Sequence, residues 1–169
     1  MAARFNKTLI VNIYFPSGAE RKNETERFYN NELAYLLPTA HDDMILAGDF
    51  NCILSKTDST GTNNYSRALA HLVHGLGLKD AWNTYIWRTV YTHYTPVGAY
   101  RIDRIYATGN ILSKKQGVET AAAAFTDHLA VVLGVAVDTP LTLLGRGYWR
   151  MNVSLLGDTT FGTQYTRIG

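Results

Sequence analysis

The sequence predicts a layered α/β domain with a β-sheet in its core. In the first half of the chain, short runs of β-branched and aromatic residues alternate with amphipathic helical patterns. In the second half, strand-like segments dominate. A chain of 169 residues, 46% of them hydrophobic and 18% charged, is long enough to bury a core as one globular domain. This order of elements is typical of a sheet packed against helices.

The first half contains two predicted strands and two predicted helices. Thr8–Phe15 is rich in β-branched and aromatic residues, which favours a strand. Apolar residues recur about one turn apart in Glu24–Leu37, which predicts a helix. Met44–Gly48 is continuously apolar, so we expect a strand buried on both faces. A second helix is predicted over Ser66–Leu76, with Gly77 as its C-terminal cap.

The second half contains four predicted strands, separated by turn-forming residues. Their sequences are VYTHYT, YRIDRIYAT, GVETAAAAF and LAVVLGVAV. After Val137 the periodicity becomes poor and proline and several glycines appear. We therefore predict one domain over residues 1–138 and a connector over residues 139–169.

Composition excludes several kinds of protein. The single cysteine, Cys52, rules out an internal disulfide and a thiolate zinc cluster, and it suits a reducing compartment. No apolar run is long enough to cross a bilayer, and no signal-peptide pattern is visible. We therefore expect an intracellular protein with no membrane partner. The net charge of +2 permits nucleic-acid binding without arguing for it.

Polar side chains stand at the ends of three predicted strands. Asp49 and Asn51 follow the strand in MILAGDFN, Asp103 lies in RIDRIY, and Asp127 and His128 precede the strand in TDHLAVV. Each has an ordinary structural explanation: a turn, a salt bridge to a flanking arginine, or a histidine at a strand start. Catalytic groups commonly lie at strand ends, where a rigid sheet holds them. The argument for function therefore depends on the whole set.

This set of side chains suits phosphodiester hydrolysis. An aspartate beside a histidine orients the imidazole, and carboxylate and amide oxygens are ligands that Mg²⁺ prefers. Hydrolysis of a phosphodiester needs an oriented water, a cation on the phosphoryl oxygens and help for the leaving alkoxide. The sequence has no serine in a nucleophile-elbow context and no glycine-rich phosphate loop.

Three motifs, GDFN, RIDRIY and TDH before an apolar strand, resemble the endonuclease/exonuclease/phosphatase superfamily in order and spacing. The resemblance covers about Leu9–Val137 and implies the layered fold of apurinic endonucleases and deoxyribonuclease I. Within the superfamily, the chain looks most like the endonuclease domain of non-LTR (LINE-type) retrotransposons. NIYFPSG, YTHYTP with YRIDRIYAT, and GRGYWRMNVSLLGD are similar to stretches of those elements. The last stretch resembles a connector toward a reverse transcriptase.

The resemblance implies roles for four polar residues. Asp49 would position or deprotonate the attacking water, and Asn51 would hydrogen-bond the phosphate or orient Asp49. His128 would contact the scissile phosphate and stabilise its developing charge. Asp103 would hydrogen-bond His128 and fix its tautomer.

Further residues are expected to contact the metal ion or the substrate. By the resemblance, Asp127 would lie beside a bound Mg²⁺ or Mn²⁺, and Tyr14, in the loop after the first strand, would contact the phosphate. We expect Arg101 and Tyr94 to contact the substrate. We assign no catalytic role to Arg101 or to Arg104.

The chain departs from the family pattern at its start. The family carries an early Asn and a metal-binding Glu in an upstream segment, whereas this chain begins within the domain. Glu20, Glu24, Glu26 and Glu32 look solvated, and Glu119 comes too late to replace that ligand. We therefore expect a fold without its N-terminal strands and weak or absent activity of the chain alone. A dimer that covers the exposed sheet edge is a further expectation.

The leading hypothesis is a Mg²⁺-dependent DNA endonuclease that nicks target DNA for retrotransposition. It would act in the nucleus, with a reverse transcriptase domain in the intact polypeptide. One alternative is a phosphodiesterase of the same superfamily that acts on a lipid or a small phosphoester. Another is a non-catalytic fragment that binds nucleic acid or a partner protein.

Overall fold

A computed structural model of the chain describes residues 1–5, 7–15, 17–37, 43–61, 64–82, 90–122, 124 and 126–136. All of these residues belong to one compact unit, Met1–Ala136. The predicted boundary at residue 138 and the predicted connector over residues 139–169 lie outside the described residues. None of the described helices is long and apolar enough to cross a membrane.

The described residues form strands and short helices, with most of the helices in the first half of the chain and most of the strands in the second. The strands are β1 (Ala2–Phe5), β2 (Thr8–Tyr14), β3 (Asp43–Asp49), β4 (Lys79–Asp80), β5 (His93–Thr95), β6 (Gly98–Tyr100), β7 (Asp103–Ala107), β8 (Lys115–Ala122) and β9 (Leu129–Val135). The helices are α1 (Lys22–Arg27), α2 (Ala34–Leu36), α3 (Arg67–Gly75) and α4 (Gly109–Ser113). A π-helical turn, Phe28–Leu33, joins α1 to α2 and divides the single helix that the sequence predicts.

The main sheet has five strands in the order β1-β2-β3-β7-β4. Strands β2 and β3 are parallel, and every other neighbouring pair is antiparallel. Two antiparallel pairs, β5-β6 and β8-β9, form separate small sheets. A β-bridge between His93 and His128 joins these two small sheets at one point.

Side-chain alternation along β3 divides the main sheet into two faces. Met44 and Leu46 are buried in the core against the helices, whereas Ile45 and Ala47 are only partly buried. The second face is partly covered by β9, which packs against β7. The prediction that this strand is buried on both faces is therefore wrong, although the predicted layered α/β architecture is confirmed.

Local contacts explain where the elements begin and end. Helix α3 begins after Ser66, whose Oγ accepts a hydrogen bond from the backbone N–H of Leu69 at 3.1 Å. Gly77 follows its end with φ +63°, as expected of a helix cap. The predicted strand in YRIDRIYAT is split into β6 and β7. At residues 101–102 the backbone bonds to loops instead, through Arg101 N–H to Asp58 O and Phe50 N–H to Ile102 O.

Candidate active site

One row of side chains crosses the main sheet where β2 and β3 end and β7 begins. In this row Tyr14 pairs with Asp49, and Asp49 pairs with Asp103. Directly paired residues project to the same face of a sheet, so the two carboxylates share the face that β9 partly covers. The sheet thus brings together two of the aspartates that the sequence predicts.

The backbone at the end of β3 has two residues in the left-handed region. Gly48 has φ +136°, and a Cβ there would lie 1.8 Å from the carbonyl oxygen of Ile13. Asn51 has φ +46°, which asparagine tolerates better than most residues. Its backbone N–H donates to Oδ1 of Asp49 at 2.9 Å, and its Nδ2 donates to Oδ2 at 2.9 Å and to the Phe15 carbonyl. Both oxygens of Asp49 are therefore fixed by Asn51.

Asp103 holds the imidazole of His128. Nδ1 of His128 lies 2.9 Å from Oδ2 and 3.1 Å from Oδ1 of Asp103. Because an ionised carboxylate can only accept, Nδ1–H is the donor, which leaves Nε2 as the ring nitrogen that faces away from Asp103. Thr92 Oγ1 donates to Oδ2 of Asp103 at 2.7 Å and accepts from the backbone N–H groups of Ile102 and Asp103. The carboxylate that orients His128 is thus itself fixed.

A second histidine lies beside His128. The rings of His93 and His128 are stacked, with centroids 4.3 Å apart and planes inclined by 25°. Nε2 of His93 donates to Oδ2 of Asp127 at 2.9 Å. Each of the two adjacent aspartate–histidine pairs therefore contains one residue of the predicted TDH motif.

The environment shifts the acidities of two of these carboxyl groups. Burial raises the pKa of Asp49; the Asn51 N–H opposes this rise, and the charge of Asp103 adds to it. The hydrogen bond from His93 lowers the pKa of Asp127 below its usual value. Asp127 is therefore a solvent-exposed oxygen donor of lowered basicity, whereas the basicity of the Asp49 carboxylate is increased.

Two groups of side chains have ligand atoms close enough to share a metal ion. They are Asp49, Asp103 and His128, and His93, Asp127 and His128, with the ligand atoms of each group within 4.8 Å of one another. Neither of these groups among the described residues contains a glutamate. The oxygen donors of Asp49 and Asp103 fit the hard divalent ions Mg²⁺ and Mn²⁺. The predicted metal ligand Asp127 belongs to the other group.

Arg101 and Arg104 form an ion-pair network on the core side of the site. Both contact Asp58 and Asp80, and Arg104 is almost fully buried, with Nη2 2.7 Å from Asp58 Oδ2. The side chain of Arg101 is 15% exposed and bonded to both carboxylates, so its contacts are structural. Substrate binding by Arg101 therefore stays a prediction from the sequence.

The two predicted substrate-contacting tyrosines are both exposed. Tyr14 is 74% exposed at the end of β2, in the row that contains Asp49. Tyr94 is 53% exposed and forms an edge-on contact with Tyr91, with centroids 6.4 Å apart. Because Tyr94 directly follows His93 on β5, alternation points it away from the paired histidines. Tyr14 is therefore placed at the site, whereas Tyr94 lies beside it.

A cleft of about 370 Å³ opens next to these groups. Its wall includes Asn51, His93, Tyr100 and Ile102 from the site and Lys22 from α1. The cleft can accept part of a ligand whose reacting atoms lie at the strand ends. A positive charge from Lys22 on its wall suits an anionic ligand.

Sequence reasoning missed His93 and Thr92. The only signal for them is a Thr-His pair inside the strand-like VYTHYT, which reads equally well as ordinary strand. The partner of Thr92, Asp103, lies 11 residues further along the chain, and the partner of His93, Asp127, lies 34 residues further along. The bridge between His93 and His128 that makes the arrangement is a tertiary contact, and periodicity within a segment cannot reveal it.

The comparisons with known proteins agree on the kind of domain. Residues 3–128 match the model of the Endonuclease/Exonuclease/phosphatase family. The chain is 31% identical over 162 residues to the Transposon TX1 uncharacterized 149 kDa protein of Xenopus laevis, an alignment that covers 90% of this chain and 12% of that protein.

Solved structures of nucleases share the fold. An AP endonuclease from Archaeoglobus fulgidus superposes with a TM-score of 0.62 at 18% identity, covering 80% of this chain and 64% of the other. The endonuclease domain of TRAS1, a telomere-specific non-LTR retrotransposon, superposes with a TM-score of 0.57 at 17% identity, covering 82% and 63%. At these identities the likeness establishes the fold, and the predicted AP-endonuclease type of architecture is confirmed.

The family match identifies the kind of enzyme to which this domain belongs, and the fold agrees with it. The predicted resemblance to the superfamily is confirmed. The transposon-encoded Xenopus relative and the TRAS1 domain support the narrower prediction of a LINE-type endonuclease domain. The predicted enzyme class is confirmed at the level of the family, which the matching model describes as Endonuclease/Exonuclease/phosphatase. The chain belongs to the Endonuclease/Exonuclease/phosphatase family.

Proposed function

We propose that this chain is the endonuclease part of a LINE-type retrotransposon protein and that it nicks target DNA. The observation that carries the proposal is the group of Asp49, Asp103 and His128, whose ligand atoms lie within 4.8 Å of one another at the end of the main sheet. The similarity to a transposon-encoded Xenopus protein supports a role in transposition. The whole protein would act on nuclear DNA together with a reverse transcriptase domain.

The hydrolytic step needs a base for the attacking water. The carboxylate of Asp49 serves this purpose, because burial raises its pKa and so makes it a better proton acceptor. The two hydrogen bonds from Asn51 keep it in one orientation. Asn51 is therefore a positioning residue in this proposal, and Asp49 contacts the reacting water.

The phosphate is contacted from the other side of the site. Nε2 of His128 is directed away from Asp103, and when this nitrogen carries a proton it can donate to a phosphoryl oxygen, while Asp103 accepts from the N–H at Nδ1. Tyr14, exposed in the same row of the sheet, contributes a phenolic hydroxyl. Together these groups stabilise the charge that develops as the water attacks.

A divalent ion completes the proposed site. Carboxylate oxygens at this edge, those of Asp49 and Asp103 and, by the resemblance, Asp127, would hold Mg²⁺ or Mn²⁺. When bound, the ion neutralises the phosphoryl oxygens and the leaving alkoxide. We expect this ion to bind weakly to the chain alone and the activity to be correspondingly low, since neither group of ligands contains a glutamate.

The test is the nicking of supercoiled plasmid with Mg²⁺ and with EDTA. We expect Mg²⁺-dependent nicking that falls by about 100-fold or more in His128→Ala, in line with the loss of one group that stabilises the developing charge on the phosphate. His71→Ala is the matched control, because His71 is an exposed histidine on α3, and it should nick at the original rate. Absence of nicking by this chain and by a longer protein that contains it would overturn the proposal.

A further inference from the structure

We propose that His93, Asp127 and His128 form a binding site for a transition-metal ion of the Zn²⁺ class. Their ligand atoms lie within 4.8 Å of one another. Two imidazoles and one carboxylate are a donor set that suits zinc, cobalt and nickel and that Mg²⁺ does not favour. The site therefore differs in chemistry from the oxygen-rich group of Asp49 and Asp103, with which it shares an edge and His128.

The backbone places the two histidines next to each other. His93 and His128 form an antiparallel β-bridge, and the N–H of Leu129 donates to the carbonyl of Thr92 at 2.6 Å. These bonds join two segments that are otherwise in separate sheets. The imidazoles are already close, with centroids 4.3 Å apart in a stacked arrangement, and rotation of one ring about its side-chain torsions would direct both lone pairs toward one ion.

Hydrogen bonds already prepare the three donors. The 2.9 Å between Nε2 of His93 and Oδ2 of Asp127 is close to the separation of about 3.3 Å between two ligand atoms on tetrahedral zinc with bonds of about 2.0 Å. Zinc would take the position of the proton that now joins these atoms, and that proton would leave to solvent.

Asp103 supports His128 as a metal ligand. A histidine bound to a metal almost always donates its other ring N–H to a carboxylate, which fixes the ring and the tautomer. Nδ1 of His128 donates to Asp103 at 2.9 Å, so Nε2 is the nitrogen left to bind an ion. Thr92 in turn donates to Asp103 at 2.7 Å. His128 is therefore oriented by Asp103, and Asp103 is itself held in place by Thr92.

The site is accessible to an ion from solvent. The side chain of Asp127 is 67% exposed, whereas those of His93 and His128 are 19% and 26% exposed. The exposed carboxylate can move to close the remaining distance to His128, while the β-bridge keeps the backbone of the two histidines adjacent. Water would complete the coordination, because zinc takes four ligands and the protein offers three.

One consequence rests on the function proposed above. A zinc ion on Nε2 of His128 would occupy the atom that contacts the scissile phosphate. Zn²⁺ should then inhibit Mg²⁺-dependent nicking at a concentration near its own dissociation constant. His93→Gln should lose this inhibition when its nicking with Zn²⁺ is compared with its own nicking without Zn²⁺, because His93 is a zinc ligand.

Metal binding itself is the primary test, because it does not require nuclease activity. Titration calorimetry would measure Zn²⁺ and Mg²⁺ binding to the chain, and Co²⁺ would report its coordination through visible absorption. We expect one Zn²⁺ per chain, at least tenfold weaker binding in His93→Gln and in Asp127→Asn, and a Co²⁺ spectrum typical of nitrogen ligands. Asp103→Asn should weaken Zn²⁺ by about 10- to 100-fold as the loss of a supporting carboxylate.

Controls separate this site from other histidines. His71→Gln and His74→Gln alter exposed histidines on α3 and should leave Zn²⁺ affinity unchanged. Circular dichroism of each variant would verify folding, and Asp127→Asn is the safer variant because its side chain is mostly exposed. Unchanged Zn²⁺ affinity in folded His93→Gln or Asp127→Asn, or its loss in His71→Gln, would overturn the inference. Zinc binding together with absence of nicking, by this chain and by a longer protein that contains it, would support this inference and overturn the proposed nuclease function.

Discussion

Asp49 and Asp103 lie directly opposite each other across the antiparallel pair of β3 and β7. Like charges at directly opposed positions destabilise a sheet, and burial raises the pKa of Asp49 further. Hydrogen bonds from Asn51 to one carboxylate and from Thr92 to the other offset part of this cost. At this end of the strand pair, two carboxylates are therefore held close together at a cost in folding stability.

The raised pKa of Asp49 gives a signed dependence of stability on pH. Between the unfolded-state pKa of about 3.9 and the higher folded-state value, the folded protein binds more protons than the unfolded chain. The stability that Asp49 contributes is therefore present below about pH 4 and is lost as the pH rises through its folded-state pKa.

Urea denaturation of the wild type and of Asp49→Asn, between pH 4 and pH 8, would test this dependence. Because asparagine does not ionise, the free energy of unfolding of the variant minus that of the wild type should grow with pH. Asp43→Asn, a change on the same face at the other end of β3, is the control for a general effect of charge. A difference that stays constant or shrinks with rising pH would contradict the expected sign.

Asp103 should be needed for activity through the orientation of His128. Asparagine in its place offers one oxygen instead of two, so the imidazole loses its fixed tautomer. We expect Asp103→Asn to reduce the Mg²⁺-dependent nicking rate by about 100-fold or more. Asp43→Asn should nick like the wild type, since Asp43 lies at the far end of β3 and bonds to Asn110. Equal rates for the two variants would rule out this role for Asp103.

Much of the fold and part of the site could be predicted from the sequence. The long strands and α3 follow from local periodicity, and the strand-end groups Asp49, Asp103 and His128 do converge as their positions suggest. The second aspartate–histidine pair depends on a β-bridge between segments that are distant in the chain, and no local pattern encodes that bridge. The partners of Arg101 were equally hidden, because Asp58 and Asp80 lie 43 and 21 residues from it along the chain.

Gly48 should be required for the close approach of β3 to β2. Its φ of +136° is unfavourable for any side chain, and a Cβ would overlap the carbonyl oxygen of Ile13. We expect Gly48→Ala to lower the free energy of unfolding by about 3 kcal/mol or more, measured by urea denaturation. Gly75→Ala is the matched control, because nothing lies within 4 Å of a Cβ there. It should raise stability by up to about 1 kcal/mol. If both substitutions changed the free energy of unfolding by similar amounts, β2 and β3 could separate without cost to accommodate a Cβ at residue 48, and the prediction would be wrong.

Cys52 should be unreactive in the folded protein. Its side chain lies in the core with 1% of the residue exposed, and burial raises the pKa of the thiol to about 12. Because the thiolate is the reactive form, a disulfide reagent such as DTNB should not label the native chain at pH 8 over many minutes. In urea the same thiol should react fully within the mixing period, which serves as the control for the reagent. Rapid stoichiometric labelling of the native protein would contradict this prediction and would show that this part of the core opens readily. The Cys52 thiol and the neighbouring Asn51 should then become exposed together.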